Sequence, residues 1–243
     1  AAEKSQKLFA IEANKWLEAE NIPPLPKHRY RFISTNLNVY IYPKPLIKDY
    51  LRLFKPGKEW FGLDHSIRES KQTFHLPPNF KRENEKLIFS RWARLDQHKI
   101  IVVTGKFHDQ YELADNMWGD SFLPQLEILP LVDLVITHGG NNTFIETLYF
   151  GKPMIVMPLF ADQHDNARRV VETKIARTFN PFTVDENELL NAIDTTLNDS
   201  EMAERIQKIS KHIRESNTLD VLVRKVEEIA KNPKFPTIKL LSQ

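Results

Sequence analysis

Apolar positions along the chain follow two regimes. From about residue 83 onward, short unbroken apolar runs alternate with stretches whose apolar residues recur every three or four positions. Residues 99–104 (KIIVVT), 134–137 and 154–157 read as strands, because a parallel sheet covered on both faces needs no polar alternation. A shorter strand is expected over 119–122, ahead of 126–129. Helical spacing covers 141–150, 162–173, 185–198, 200–215 and 217–232; the last carries Leu219, Leu222, Val223, Val226 and Ile229 on one stripe. Ahead of residue 83 the pattern loosens. Residues 7–20 are spaced as a helix that Asn21-Ile22-Pro23-Pro24 would end. Residues 32–42 hold aromatic and β-branched residues in partial alternation and read as one strand. Residues 43–80 lack a period and read as linker with short helices.

Strands alternating with helices predict an α/β fold with a parallel sheet. Ligands of such sheets bind at the carboxyl ends of the strands. Attention therefore falls on residues 122–163, where the run from Val132 to Ile136 ends in Thr137-His138-Gly139-Gly140-Asn141-Asn142-Thr143. Phe144, Ile145, Leu148 and Tyr149 follow at helical spacing with Glu146 among them, and a second run delivers Asp162-Gln163. A diglycine turn into a helix start lets backbone approach an anion and favours phosphate.

The order of these parts resembles the donor-binding signature of UDP-glycosyltransferases of the GT-B fold. It runs Phe122-Leu123-Pro124-Gln125, then His138-Gly139-Gly140-x-Asn142-Thr143-x-x-Glu146, then Asp162-Gln163. Asn38-Val39-Tyr40-Ile41-Tyr42-Pro43 and Asp115-Asn116-Met117-Trp118-Gly119 are also similar to that family, notably its arthropod members. The resemblance implies a C-terminal Rossmann-like donor-binding domain over 77–243, with a parallel sheet flanked by helices, and a remnant of the N-terminal acceptor domain with linker over 1–76. It implies transfer of a hexose, glucose by expectation, from a UDP-sugar to a small lipophilic acceptor. The UDP-sugar is a co-substrate, and no cofactor or metal is expected. A non-catalytic UDP-sugar-binding fragment or pseudoenzyme is the competing reading.

The resemblance also implies a role for each residue. Phe122 would stack on uracil, with Gln125 addressing base and ribose. His138 would donate to the diphosphate, and Gly140, Asn142 and Thr143 would supply donors at the helix start. Glu146 would take the ribose hydroxyls, an acceptor-only group suiting a diol. Asp162 and Gln163 would hold the sugar. Each residue has a plainer reading. His138 could be a structural group at a strand end, and the glycines only a tight turn. Asn142, Thr143 and Glu146 could be an ordinary helix start, Phe122 a core aromatic, and Asp162-Gln163 a helix cap. Asn141-Asn142-Thr143 also fits a glycosylation sequon.

Two departures from the family pattern stand out. Relatives place a serine- and glycine-rich loop and a helix between their first two strands, whereas here eight residues separate Ser90 from Lys99. A parallel crossover needs roughly a dozen residues, so the expectation is that 87–90 pairs differently or that 84–97 becomes helix. None of the eight histidines matches the family's catalytic base, which is expected outside this chain.

Composition narrows the rest. A formal charge of +2, with no basic block, argues against nucleic acid. The absence of cysteine removes disulfides and thiolate metal sites. No G-x-G-x-x-G follows a strand, which disfavours a dinucleotide-dependent oxidoreductase. His164 lies two positions from Asp162 and one from Asp165 on a helix, and neighbours that close do not share a face for a metal. No apolar stretch approaches a membrane span, and the N-terminal segment is amphipathic rather than a signal sequence. The expected location is cytoplasmic.

Overall fold

The computed structural model describes residues 2–25, 33–80, 85–90, 98–110 and 112–233. Among these residues the strands are β1 Asn38–Ile41, β2 Trp60–Leu63, β3 Leu87–Ser90, β4 Lys99–Val103, β5 Met117–Asp120, β6 Leu134–Thr137, β7 Met154–Val156 and β8 Ala176–Thr178. The helices are α1 Ala2–Ala19, α2 Lys44–Phe54, α3 Gln125–Ile128, α4 Asn141–Tyr149, α5 Asp162–Glu172, α6 Glu186–Leu197, α7 Ser200–Arg214 and α8 Thr218–Lys231.

Strands β3 to β8 form one sheet in the order β5-β4-β3-β6-β7-β8, with every neighbouring pair parallel. All four side chains of β3 and all four of β6 are buried, as a doubly covered sheet requires. Alternation divides them between two cores. Leu87, Phe89, Ile101, Val135, Met154 and Val156 face the core shared with α4, α5 and α7. Ile88, Ile100, Val102, Leu134, Ile136 and Ile155 face the other, closed by Ala192 and Ile193 of α6. Asp185 caps α6 by accepting from the Asn187 and Glu188 amides, and Asp199 caps α7 through the Met202 amide.

The strand order reverses between β3 and β6, and one carboxylate stitches that seam. Asp133 accepts from the Leu87 amide at 3.0 Å, while its own amide donates to the Leu87 carbonyl at 2.8 Å. Residues 87–90 thus pair on both sides, with Ile88 in register with Ile100 and Leu134. The expectation that they would pair differently or join a helix is overturned: four consecutive apolar or small residues fill the most buried slot of the sheet. The remainder of the expected 84–97 helix falls largely on 91–97, outside the described residues.

The chain forms two compact units: Ile41–Lys55 with Gly62–Val221, and Ala1–Tyr40 with Pro56–Phe61 and Leu222–Gln243. The division does not follow the expected boundary at residue 76. Residues 43–80 are also more than linker. Leu46 of α2 is buried in the main core, and Ile41, Tyr42, Ile67, Phe74 and Leu76 pack against it. Buried Asp64 fastens this segment to the α7–α8 corner. It accepts from the Lys44 amide at 2.6 Å and the Ser216 hydroxyl at 2.7 Å, with His212 Nε2 at 3.3 Å.

In the other unit, α1 buries Ala10 and Leu17 and leaves Leu8, Phe9 and Trp16 more than half exposed. Asn14 accepts from the Leu25 amide at 2.8 Å, tying down the chain after the helix. The expected strand over 32–42 is confined to Asn38–Ile41, Phe32 lying outside the described residues, and the one expected over 119–122 occupies Met117–Asp120. The α8 stripe buries none of its residues; Leu219, Val223 and Val226 are about half exposed. Among the described residues no helix is long and apolar enough to cross a membrane.

Candidate functional site

A cleft of about 320 Å³ opens at the carboxyl ends of β4 and β5 and runs along the first turns of α4. Phe122, Gln125, Asn142, Thr143 and Glu146 all line it, joined by Val103, Leu123 and Ile145. The topology explains the meeting. β5 delivers Phe122 and α3, and β6 delivers α4, so both segments arrive at the same edge of a parallel sheet.

Phe122 is 67% exposed, so it is not a core aromatic but a free ring at the cleft rim. Thr143 and Glu146, one turn apart on α4, are buried. The Thr143 hydroxyl donates to Gln125 Oε1 at 3.3 Å, and Gln125 Nε2 donates to Glu146 Oε2. Burial pushes the Glu146 carboxyl above the ordinary glutamate range; the Gln125 hydrogen bond and the nearby Arg68 charge pull it back part of the way. The hydrogen bond to Gln125 leaves the carboxylate further acceptor capacity for an arriving hydroxyl.

The turn before α4 is built for backbone approach. Gly139 has φ +80°, and a Cβ there would lie 2.6 Å from Val156 Cγ1. A Cβ on Gly140 would lie 2.5 Å from His138 Nε2, so the half-buried His138 ring sits against the bare face of Gly140. Thr137 Oγ1 accepts from the Gly139 amide at 3.2 Å, and buried Asn166 donates to the Gly139 carbonyl at 2.8 Å. Gly140 occupies the N-cap of α4 with no side-chain cap, so the first amides of that helix have no intrahelical acceptor and no cap side chain among the described residues.

His138, Gly140, Asp162 and Gln163 do not line the cleft. Asp162 is exposed in the first turn of α5. Gln163 is buried and turns back, its Oε1 accepting from the Leu159 and Phe160 amides at 2.8 and 3.0 Å. It ties the loop before α5, while the N-cap position itself is Ala161, held at φ 54°, ψ −133° without a side-chain cap. The cleft also contains residues that sequence reasoning passed over: Ser66, Ile67 and Arg68, from the stretch read as linker. Only the charge of Arg68 could have marked them. His108 pairs with Thr104 at 2.8 Å and lies beside Asp120 rather than in the cleft.

The model of one protein family, described as UDP-glucoronosyl and UDP-glucosyl transferase, matches residues 82–231. Human UDP-glucuronosyltransferase 2B15 is 32% identical over 158 residues, 63% of this chain and 29% of its own length. Human UDP-glucuronosyltransferase 1A1 is 26% identical over 229 residues, 85% of this chain and 43% of its own. The chain thus spans under half the length of these relatives. Among solved structures, the glycotransferase of kitacinnamycin superposes with TM-score 0.67 at 23% identity, over 89% of this chain and 61% of its own. The calicheamicin glycosyltransferase CalG4 gives TM-score 0.65 at 17% identity, over 90% of this chain and 60% of its own. A spinosyn rhamnosyltransferase, SpnG, solved with thymidine diphosphate, gives 0.54 at 22%, over 64% and 49%.

Proposed function

Because the chain belongs to the UDP-glucoronosyl and UDP-glucosyl transferase family, we propose that its cleft holds the nucleotide of a UDP-sugar for hexosyl transfer. The observation that carries this reading is the convergence of Phe122, Gln125 and Glu146 along the first two turns of α4. A free aromatic ring, a carboxylate with spare acceptor sites and a glycine-led helix start suit a base, a ribose diol and a diphosphate in turn.

Phe122 stacks on the uracil, and Gln125 is oriented by Thr143 and Glu146 to meet the ribose edge. Glu146 accepts from the ribose hydroxyls. The amides after Gly140, with His138 and Asn142, donate to the diphosphate and stabilise the charge that grows as UDP leaves. Asp162 and the free amide of Gln163 hold the sugar, glucose in this reading. The acceptor is a small lipophilic alcohol or phenol, whose deprotonation needs a base that none of the cleft residues named here supplies.

Titration calorimetry with UDP, UDP-glucose, UDP-glucuronic acid and ADP tests the assignment. UDP binding that exceeds ADP binding, with UDP-glucose at least as tight as UDP-glucuronic acid, is the expected pattern. A folded chain that takes up none of the uridine ligands rules the reading out.

A further inference from the structure

Glu146 lies buried beside the nucleotide cleft with one neutral partner, the Gln125 side-chain amide, and no ion pair among the described residues. A carboxylate withdrawn from water without an opposite charge is costly. The cleft holds one group able to offset that cost. Arg68 is the only other charged side chain that lines it, and among the described residues its guanidinium makes no hydrogen bond, ion pair or ring contact. An arginine stays charged throughout the working pH range.

The chain delivers Arg68 to this place by a fixed route. Four residues earlier, Asp64 is fastened to the Lys44 amide and the Ser216 hydroxyl. The Ile67 amide donates to His65 Nδ1 at 3.3 Å, and the Ile67 side chain packs against the main core. The backbone is thus pinned up to the residue before Arg68, whose own side chain is exposed. Glu69 and Lys71 follow, but they line an adjoining space beyond Phe122 and Gln125 rather than the cleft. The other titratable groups nearby are His138 in the turn before α4, Glu127 on α3 and His108 after β4. Among all of these, and the charged residues of α5 and α7 packed on α4, only Arg68 acts on the Glu146 carboxyl. Burial raises that carboxyl's pKa; the Gln125 hydrogen bond and then the Arg68 charge draw it down.

We propose that Arg68 is the counter-ion of the Glu146 carboxylate and, through it, a positioning residue for the ribose. The second half of this assignment rests on the nucleotide reading. Water entering the open cleft helps to solvate the carboxylate. A bound nucleoside displaces that water, and attraction between opposite charges strengthens as the medium between them dries. Arg68 therefore keeps Glu146 ionised when the ribose hydroxyls need an acceptor. The segment expected to be linker serves the nucleotide without touching it.

Two measurements on the whole chain test it. Carbon-13 NMR of the side-chain carboxyls, with Glu146 identified by its loss in Glu146→Gln, follows the titration of that group without ligand. Arg68→Met moves the titration to higher pH, and Arg68→Lys leaves it near that of the parent. Calorimetry with uridine and UDP reads the consequence. Arg68→Met weakens both about threefold at neutral pH, within the range of an exposed charge pair. In the Glu146→Gln background the same substitution changes neither. The proposal falls if Arg68→Met leaves the Glu146 titration where it was. It also falls if UDP is weakened far more than uridine, because Arg68 then serves the phosphates, or if the loss persists beside Glu146→Gln, because Arg68 then touches the ligand itself. A folded parent that binds neither uridine nor UDP sinks the nucleotide reading and the positioning role with it, and the carboxyl titration still decides the counter-ion.

Discussion

Gln125 donates its side-chain amide to the Glu146 carboxylate, and Thr143 fixes that amide's orientation by donating to its oxygen at 3.3 Å. The pair carries a pH signature. Burial raises the Glu146 pKa above its ordinary value of 4.5, so protonation favours the folded state. That contribution is complete below the ordinary value and is lost as pH rises through the raised one. At neutral pH the ionised carboxylate therefore costs stability. Glu146→Gln should melt no lower than the parent at neutral pH. UDP affinity, which uses the ionised form, should decline on acidification before the ordinary glutamate range is reached. Calorimetry across that window should show the decline in the parent and a flat profile in Glu146→Gln; a flat parent profile contradicts the ribose assignment.

Phe122 is exposed enough that its loss should leave stability nearly unchanged. Phe122→Ala should cost UDP about 1–3 kcal/mol, the usual worth of a base stacked on an aromatic ring, while Phe122→Trp retains binding. Thermal melts alongside titration separate the two quantities. A large fall in melting temperature with unchanged affinity would make Phe122 structural.

The two glycines of the turn should behave differently. Gly139→Ala meets both a left-handed backbone and the Val156 side chain, and should destabilise by about 2 kcal/mol. For Gly140→Ala the three nearest atoms all belong to the His138 ring, a side chain rather than backbone. The variant should keep most of its stability, read by urea unfolding, but weaken UDP more than uridine if the displaced ring serves the diphosphate as proposed. Equal losses for both ligands would place His138 away from the phosphates.

Asp64 gathers two short hydrogen bonds in a buried place. Asp64→Ala leaves the Lys44 amide and the Ser216 hydroxyl without their acceptor and should cost roughly 2–4 kcal/mol in urea unfolding. Asp64→Asn keeps one acceptor oxygen and should lose less. An Asp64→Ala protein as stable as its parent would show that water replaces the carboxylate freely.

The regular half of the molecule was legible because its apolar period is strong. The helix expected over 141–150 is Asn141–Tyr149, and that over 200–215 is Ser200–Arg214. Residues 43–80 failed for a physical reason. Leu46, Ile47 and Tyr50 do carry a helical spacing behind Pro45 in the first turn, but the run is short and bounded by prolines, so packing decides it rather than propensity. The motif grouped Phe122, Gln125, Asn142, Thr143 and Glu146, and all five line one cleft in the structure. Burial was not legible: nothing in the sequence says that Phe122 faces outward or that Gln163 folds back on its own loop.

The seam between β3 and β6 sets the route by which the chain reaches its native state. Leu87 and Asp133 are 46 residues apart, more than twice the largest separation across the other strand pairs of the sheet, which is the 22 residues from Met154 to Ala176. Each half, β3-β4-β5 and β6-β7-β8, can form from nearer partners, whereas joining them must first close the longest loop. The nucleotide cleft draws its two walls from opposite halves, Phe122 and Gln125 from one and α4 from the other. Ligand-binding competence should therefore be the last property the folding chain acquires, and, on the proposed function, a UDP-dependent signal in a refolding experiment should appear only as that seam closes.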